Sequence, residues 1–167
     1  MPIAAKGNCM SSNLRHAGKV FAVACALATT SGGVAAAEPV VTYENTIKGI
    51  VTERCASCHG AAAPSLAEFN KDKKGWAKKF KGPRMDSYET LITFVNGSDA
   101  GAIMRRLDDG KSAGSGKRGN MYNYLGGSDA DRAQRLELFK KWVGNWTLKR
   151  RKDLTASELA AIKAPEK

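Results

Sequence analysis

Apolar residues along this chain recur at helical spacing, in short bursts, from Tyr43 onward. Tyr43, Ile47, Ile50 and Val51 share one helical face and lead straight into Cys55. Asp86-Ser87-Tyr88-Glu89 reads as a capped helix start, followed by Leu91, Ile92 and Val95, with Gly97 just past the end. Ile103, Met104 and Leu107 predict one further short turn, closed by Gly110. Residues 111–119 are rich in Gly, Ser and Lys and predict a loop. Ser128 caps the strongest predicted helix, whose apolar stripe is Leu136, Phe139, Trp142, Val143 and Trp146. Thr155-Ala156-Ser157-Glu158 opens a last short helix carrying Leu159 and Ile162. No strand-like alternation and no repeat interrupts this order. The pattern predicts an all-α fold of short helices.

The first 37 residues read differently. Lys6, Arg15 and Lys19 give a positive start with no acidic residue before Glu38, and the apolar run Val20–Ala28 follows. Val34-Ala35-Ala36-Ala37 is a small-residue cleavage site, so residues 1–37 are expected to be a signal peptide cleaved near Ala37. The apolar run is about half the ~20 residues that span a bilayer, which favours a cleaved signal over an anchor. The expected product is one domain over 38–167, exported and periplasmic, with a basic C-terminal extension from about residue 147. Cys9, Cys25 and His16 leave with the signal. Cys55 and Cys58 are then the remaining cysteines and His59 the remaining histidine.

Those three residues form Cys55-Ala56-Ser57-Cys58-His59, the C-x-x-C-H pattern of covalent haem attachment. Each thiol can form a thioether to a porphyrin vinyl group, and the adjacent imidazole falls beneath the iron as its proximal ligand. A C-x-x-C pair also occurs in zinc sites and redox dithiols. The immediate histidine and the export signal favour haem. A single motif predicts a single haem c.

Charge changes the picture next. The full chain carries a formal charge of +11, and loss of Lys6, Arg15 and Lys19 takes it to +8. Lys71, Lys73, Lys74, Lys78, Lys79, Lys81 and Arg84 cluster against Asp72 alone, and Lys149-Arg150-Arg151-Lys152 forms a second run beyond the strong helix. Basic clusters can mark nucleic acid or membrane surfaces. In an exported haem protein they predict docking to acidic redox partners, with no nucleic-acid role and no stable membrane insertion, because opposite charge speeds encounter. The alternative is a merely solvated basic face.

The order of a helix, C-x-x-C-H, loops and a terminal helix resembles the class I cytochrome c family over most of residues 38–167. That resemblance implies a small helical fold wrapped around one covalent haem. In that family a proline carbonyl bonds the proximal imidazole, and Pro64, in Gly60-Ala61-Ala62-Ala63-Pro64-Ser65-Leu66, stands where that proline belongs. A later loop supplies a methionine to the other face of the iron. Gly119-Asn120-Met121-Tyr122 resembles that loop, with Tyr122 in place of the family's proline. The resemblance therefore implies His59 and Met121 as iron ligands. Met104 lies on an amphipathic stretch and is expected in the core, while Met85 precedes a helix start in the basic region. Trp142 and Trp146 are expected to pack in the core. Trp76 is open to packing or to hydrogen bonding a haem propionate.

Iron bound by nitrogen and thioether sulfur on its two faces has no open coordination position and suits one-electron transfer. The resemblance thus implies a monomeric electron carrier and no enzymatic site. Two alternatives stay open. One is a haem sensor or enzyme with an open distal site; the other is a cytochrome subunit of a larger redox complex.

Overall fold

The structure, a computed structural model, describes residues 39–167. The expected signal peptide, its cleavage near Ala37, and the expected loss of Cys9, His16 and Cys25 lie outside the described residues. Among the described residues there are eight α-helices and no strand. The helices are α1 (Lys48–Arg54), α2 (Ala56–His59), α3 (Leu66–Lys71), α4 (Lys73–Lys78), α5 (Tyr88–Ile92), α6 (Ala102–Leu107), α7 (Asp129–Val143) and α8 (Ala156–Ala160). A π-helical turn, Tyr43–Ile47, feeds α1, and short 3₁₀ turns occupy Tyr122–Leu125 and Arg151–Asp153. The all-α expectation holds.

Capping boxes place half of these starts. The side chains of Ser65, Ser87, Ser128 and Thr155 each accept from the backbone N–H three residues on, and the residue at that position bonds back. This reciprocal pairing satisfies donors that a helix start leaves open. The sequence pattern does not predict α2, α3 or α4; α3 and α4 carry no apolar stripe and bury no residue fully. Their starts come instead from the Ser65–Glu68 box and from Asp72, whose carboxylate accepts from the Gly75 N–H at 2.8 Å.

The core sits where the Tyr43–Arg54 segment, the Tyr122–Leu125 turn and α7 meet. Ile47, Met104, Leu125, Leu136, Phe139, Trp142 and Val143 are all buried there. Removing a side chain the size of Trp142 from such a site costs about 3–5 kcal/mol. Met104 is fully buried, as the amphipathic stretch predicts.

The last strong helix is shorter than its apolar stripe implied. It stops at Gly144, whose φ of +76° is the left-handed region that glycine enters without strain. Trp146 therefore lies beyond α7, half-buried, with its indole N–H donating to Asp108 Oδ1 at 3.3 Å.

The segment after α7 turns back onto the core. Lys163 and Ala164 donate to the Val143 and Trp142 carbonyls at 2.9 Å each. The Pro165 carbonyl accepts from both the Trp142 indole (2.8 Å) and the Tyr43 N–H (2.9 Å). The basic extension expected from about 147 is thus a packed strap.

Candidate functional site

The site begins where α1 ends. The Cys55 N–H still reaches back to the Val51 carbonyl at 2.9 Å. From there α2 carries Cys58 and His59, with the His59 N–H bonded to the Cys55 carbonyl at 2.9 Å. A four-residue helix leaves its last carbonyls without helical partners. Residues 81–85, returning from α4, supply them. Lys81 Nζ donates to the Ser57 carbonyl at 2.8 Å, the Gly82 N–H to the Cys58 carbonyl at 3.0 Å, and the Met85 N–H to the His59 carbonyl at 2.8 Å.

The imidazole is held by the same segment. His59 Nδ1 lies 2.7 Å from the Pro83 carbonyl oxygen. A carbonyl can only accept, so Nδ1 carries the proton and Nε2 keeps its lone pair. Gly82 lies close against the ring: a Cβ there would stand 2.6 Å from Nδ1. Burial pushes the His59 pKa below its ordinary value, and the Pro83 carbonyl opposes this in part. The ring is accordingly neutral at neutral pH.

Pro83 takes the role that the family resemblance had placed on Pro64. Pro64 is buried, and its carbonyl accepts from the Arg84 N–H at 2.8 Å, bracing the loop rather than touching His59. The physical reason is the return of the chain: the imidazole meets a carbonyl brought back after α3 and α4, not one five residues on. The Gly82-Pro83 pair is a turn signal, but the turn's partner is set by the return of the chain.

The cysteines are free thiols, each partly buried. Burial pushes the Cys55 thiol up to about 11, with Arg54 opposing. A redox dithiol needs a readily formed thiolate, so this environment argues against that alternative. Zinc is disfavoured as well, because among the described residues no three His, Cys, Asp or Glu side chains converge to hold a metal ion.

The methionines separate by place. Met85 is half-buried in the cradle behind His59, and Met104 is core. Met121 is half-buried at the edge of the core, and its N–H donates to the Arg106 carbonyl at 2.9 Å. Of its neighbours, Tyr122 is buried with Arg118 stacked 5.0 Å from its ring, while Tyr124 is exposed. Lys79 Nζ sits 4.9 Å over the Trp76 ring. Phe80, next along, is 82% exposed among lysines.

These residues fit a covalent haem in three respects. Two free thiols occupy one helical turn, the neighbouring imidazole has its Nε2 lone pair available, and Gly82 lets the loop approach the ring closely. Fold and site together define a c-type cytochrome. The PccH cytochrome c family model matches residues 42–164, and the chain belongs to that family. It is a haem-based electron carrier with one covalently bound haem c and its iron. The chain is also similar to the solved structure of monohaem cytochrome PccH from Geobacter sulfurreducens, at 48% identity and a TM-score of 0.71. That match covers 76% of this chain and 99% of the other. Among curated proteins nothing matches. No helix among the described residues is long and apolar enough to cross a membrane.

Proposed function

We propose that this chain is an exported, periplasmic monohaem carrier that passes single electrons between protein partners. In this reading residues 1–37 are its signal peptide, Cys55 and Cys58 form the thioethers, and His59 Nε2 and Met121 Sδ bind the iron. The observation that carries the reading is the Pro83 carbonyl at His59 Nδ1, which fixes the tautomer a proximal ligand needs. The bound group supplies the one-electron couple. The chain's part is to hold the imidazole neutral and oriented, to keep Met121 at the core edge, and to bury Met104 away from competition. Met85 belongs to the cradle on the proximal side, which favours Met121 for the opposite face.

Docking in this reading uses the surface formed by α3, α4 and the cradle. Lys71, Lys73, Lys74, Lys78, Lys79 and Arg84 are exposed there around the protruding Phe80. That composition suits a monomeric carrier meeting acidic partners transiently, charge steering the encounter and an aromatic centre giving contact.

Met121→Ala tests the ligation. The expected result is high-spin ferric haem that binds carbon monoxide after reduction, from a parent that is low-spin and does not. An unchanged spectrum transfers the ligand role to another residue. Ready carbon monoxide binding by the parent favours a sensor or enzyme instead.

A further inference from the structure

Two basic runs far apart in sequence meet at one cavity. Lys73, at the start of α4, and Arg150, beyond α7, face a cavity of about 480 Å³. Arg105 and Arg106 of α6, Asp99 and Asn120 complete its wall. Four cations therefore converge on a single carboxylate. That carboxylate is already engaged: Asp99 Oδ1 lies 3.6 Å from the Arg105 guanidinium. Arg105 also donates to the Lys149 carbonyl at 2.6 Å, which draws the second basic run onto α6. Arg106 Nη1 donates to Asn120 Oδ1 at 3.0 Å, which ties two residues of the cavity wall together.

We propose that this cavity binds a soluble multivalent oxyanion of the phosphate class. Guanidinium forks match the paired oxygens of such an anion, and charge-assisted hydrogen bonds are the strong ones. Positive charge is in excess on the cavity wall, four cations against Asp99. Arg105 is depressed first by burial, with Arg150 and Arg106 adding to the effect and Asp99 and Asp153 opposing it. An anion in the cavity relieves that repulsion.

The site also adjoins the proposed iron ligand. Arg106 and Asn120 line it, and the Met121 N–H is bonded to the Arg106 carbonyl at 2.9 Å. An anion there favours the more positive, oxidised haem and so lowers its reduction potential. By linkage the oxidised protein binds the anion more tightly by the same factor. This coupling rests on the Met121 reading; the binding itself does not.

Inorganic phosphate is the probe, titrated into holoprotein at constant ionic strength and followed by calorimetry and amide NMR. The expected result is saturable one-to-one binding, with shifts at residues 99–106, 120 and 150, and no such response to chloride. Lys73→Gln/Arg150→Gln replaces two exposed side chains. It should weaken binding about tenfold or more with an unchanged optical spectrum. A response that does not saturate, one that chloride reproduces, or an unaltered affinity in the double variant overturns the site. Failure of holoprotein to take phosphate, with a changed potential in the double variant, assigns the cations to the haem propionates and also overturns it. Saturable binding that leaves the potential unmoved overturns the coupling alone.

Discussion

The two sides of the haem-attachment region are fastened very differently. On the His59 side, residues 81–85 bond the carbonyls of Ser57, Cys58 and His59 and the imidazole itself, at 2.7–3.0 Å. On the Met121 side, the bonds reach only the backbone of the residue: its N–H donates to the Arg106 carbonyl at 2.9 Å and its carbonyl accepts from the Tyr124 N–H at 3.0 Å, and the glycine-rich 111–119 loop precedes it. Asp108 anchors the start of that loop. Buried, it accepts from the Gly110 N–H at 2.9 Å and from Trp146, while its carbonyl accepts from the Gly119 N–H at 2.8 Å. The lesson is that the side chain fixed by covalent neighbours is also fixed by a hydrogen bond, whereas the proposed distal ligand is positioned through its backbone and its packing at the core edge.

The comparison can be broken most forcefully at the thiols. Cys55→Ser/Cys58→Ser should abolish covalent haem, leaving a chain without one haem of added mass in intact mass spectrometry. Much of the fold should go with it, because a chain without disulfides among these residues leans on its cofactor to complete the core.

Gly82→Ala attacks the His59 side next. Its Cβ has no room against the ring, so the cost is about 1–3 kcal/mol, read as a lowered Tm, with iron still ligated by His59. Gly119→Ala attacks the other side. A Cβ there stands 2.5 Å from the Arg105 carbonyl oxygen, so Asn120 and Met121 must shift. If the distal side is the weaker one, this variant should gain carbon monoxide binding while Gly82→Ala does not. The reverse order inverts the comparison.

The smallest effect lies away from both sides, in the strap. The Lys149 ammonium, followed by the Thr155 N–H, draws the Glu158 carboxyl from its ordinary 4.5 down to about 2. A carboxyl lowered in the folded state stabilises above pH about 4.5, and that contribution fades as pH falls toward about 2. Glu158→Gln should therefore flatten the acid limb of Tm between pH 5 and 2. The change should be slight, since the pair is solvent-exposed.

Much of this was legible in the chain because local rules and fold agree. The C-x-x-C-H run and the caps at Ser87, Ser128 and Thr155 are short-range signals, and each cap opens its expected helix. The failures all involve the chain's return. Nothing local to Pro64 or Pro83 says which carbonyl meets His59, because α3 and α4 decide that. Those helices carry no apolar stripe to announce them. Trp146 continues the spacing of α7, yet Gly144 turns the backbone out of the helix before it. Likewise Lys73 and Arg150 read as separate surface runs until α6 brings them to one cavity.

The double acceptor at Pro165 has a topological consequence. Because Tyr43 and Trp142 both bond that one carbonyl, the beginning and the end of the folded domain touch. In space the domain is a nearly closed ring, and its opening point is a matter of sequence rather than of architecture. A short linker joining the two ends, with a new break in the exposed stretch 114–117, should give a permuted chain with the same interior. The haem-bearing helix would then lie mid-sequence, flanked on both sides by segments that pack against it.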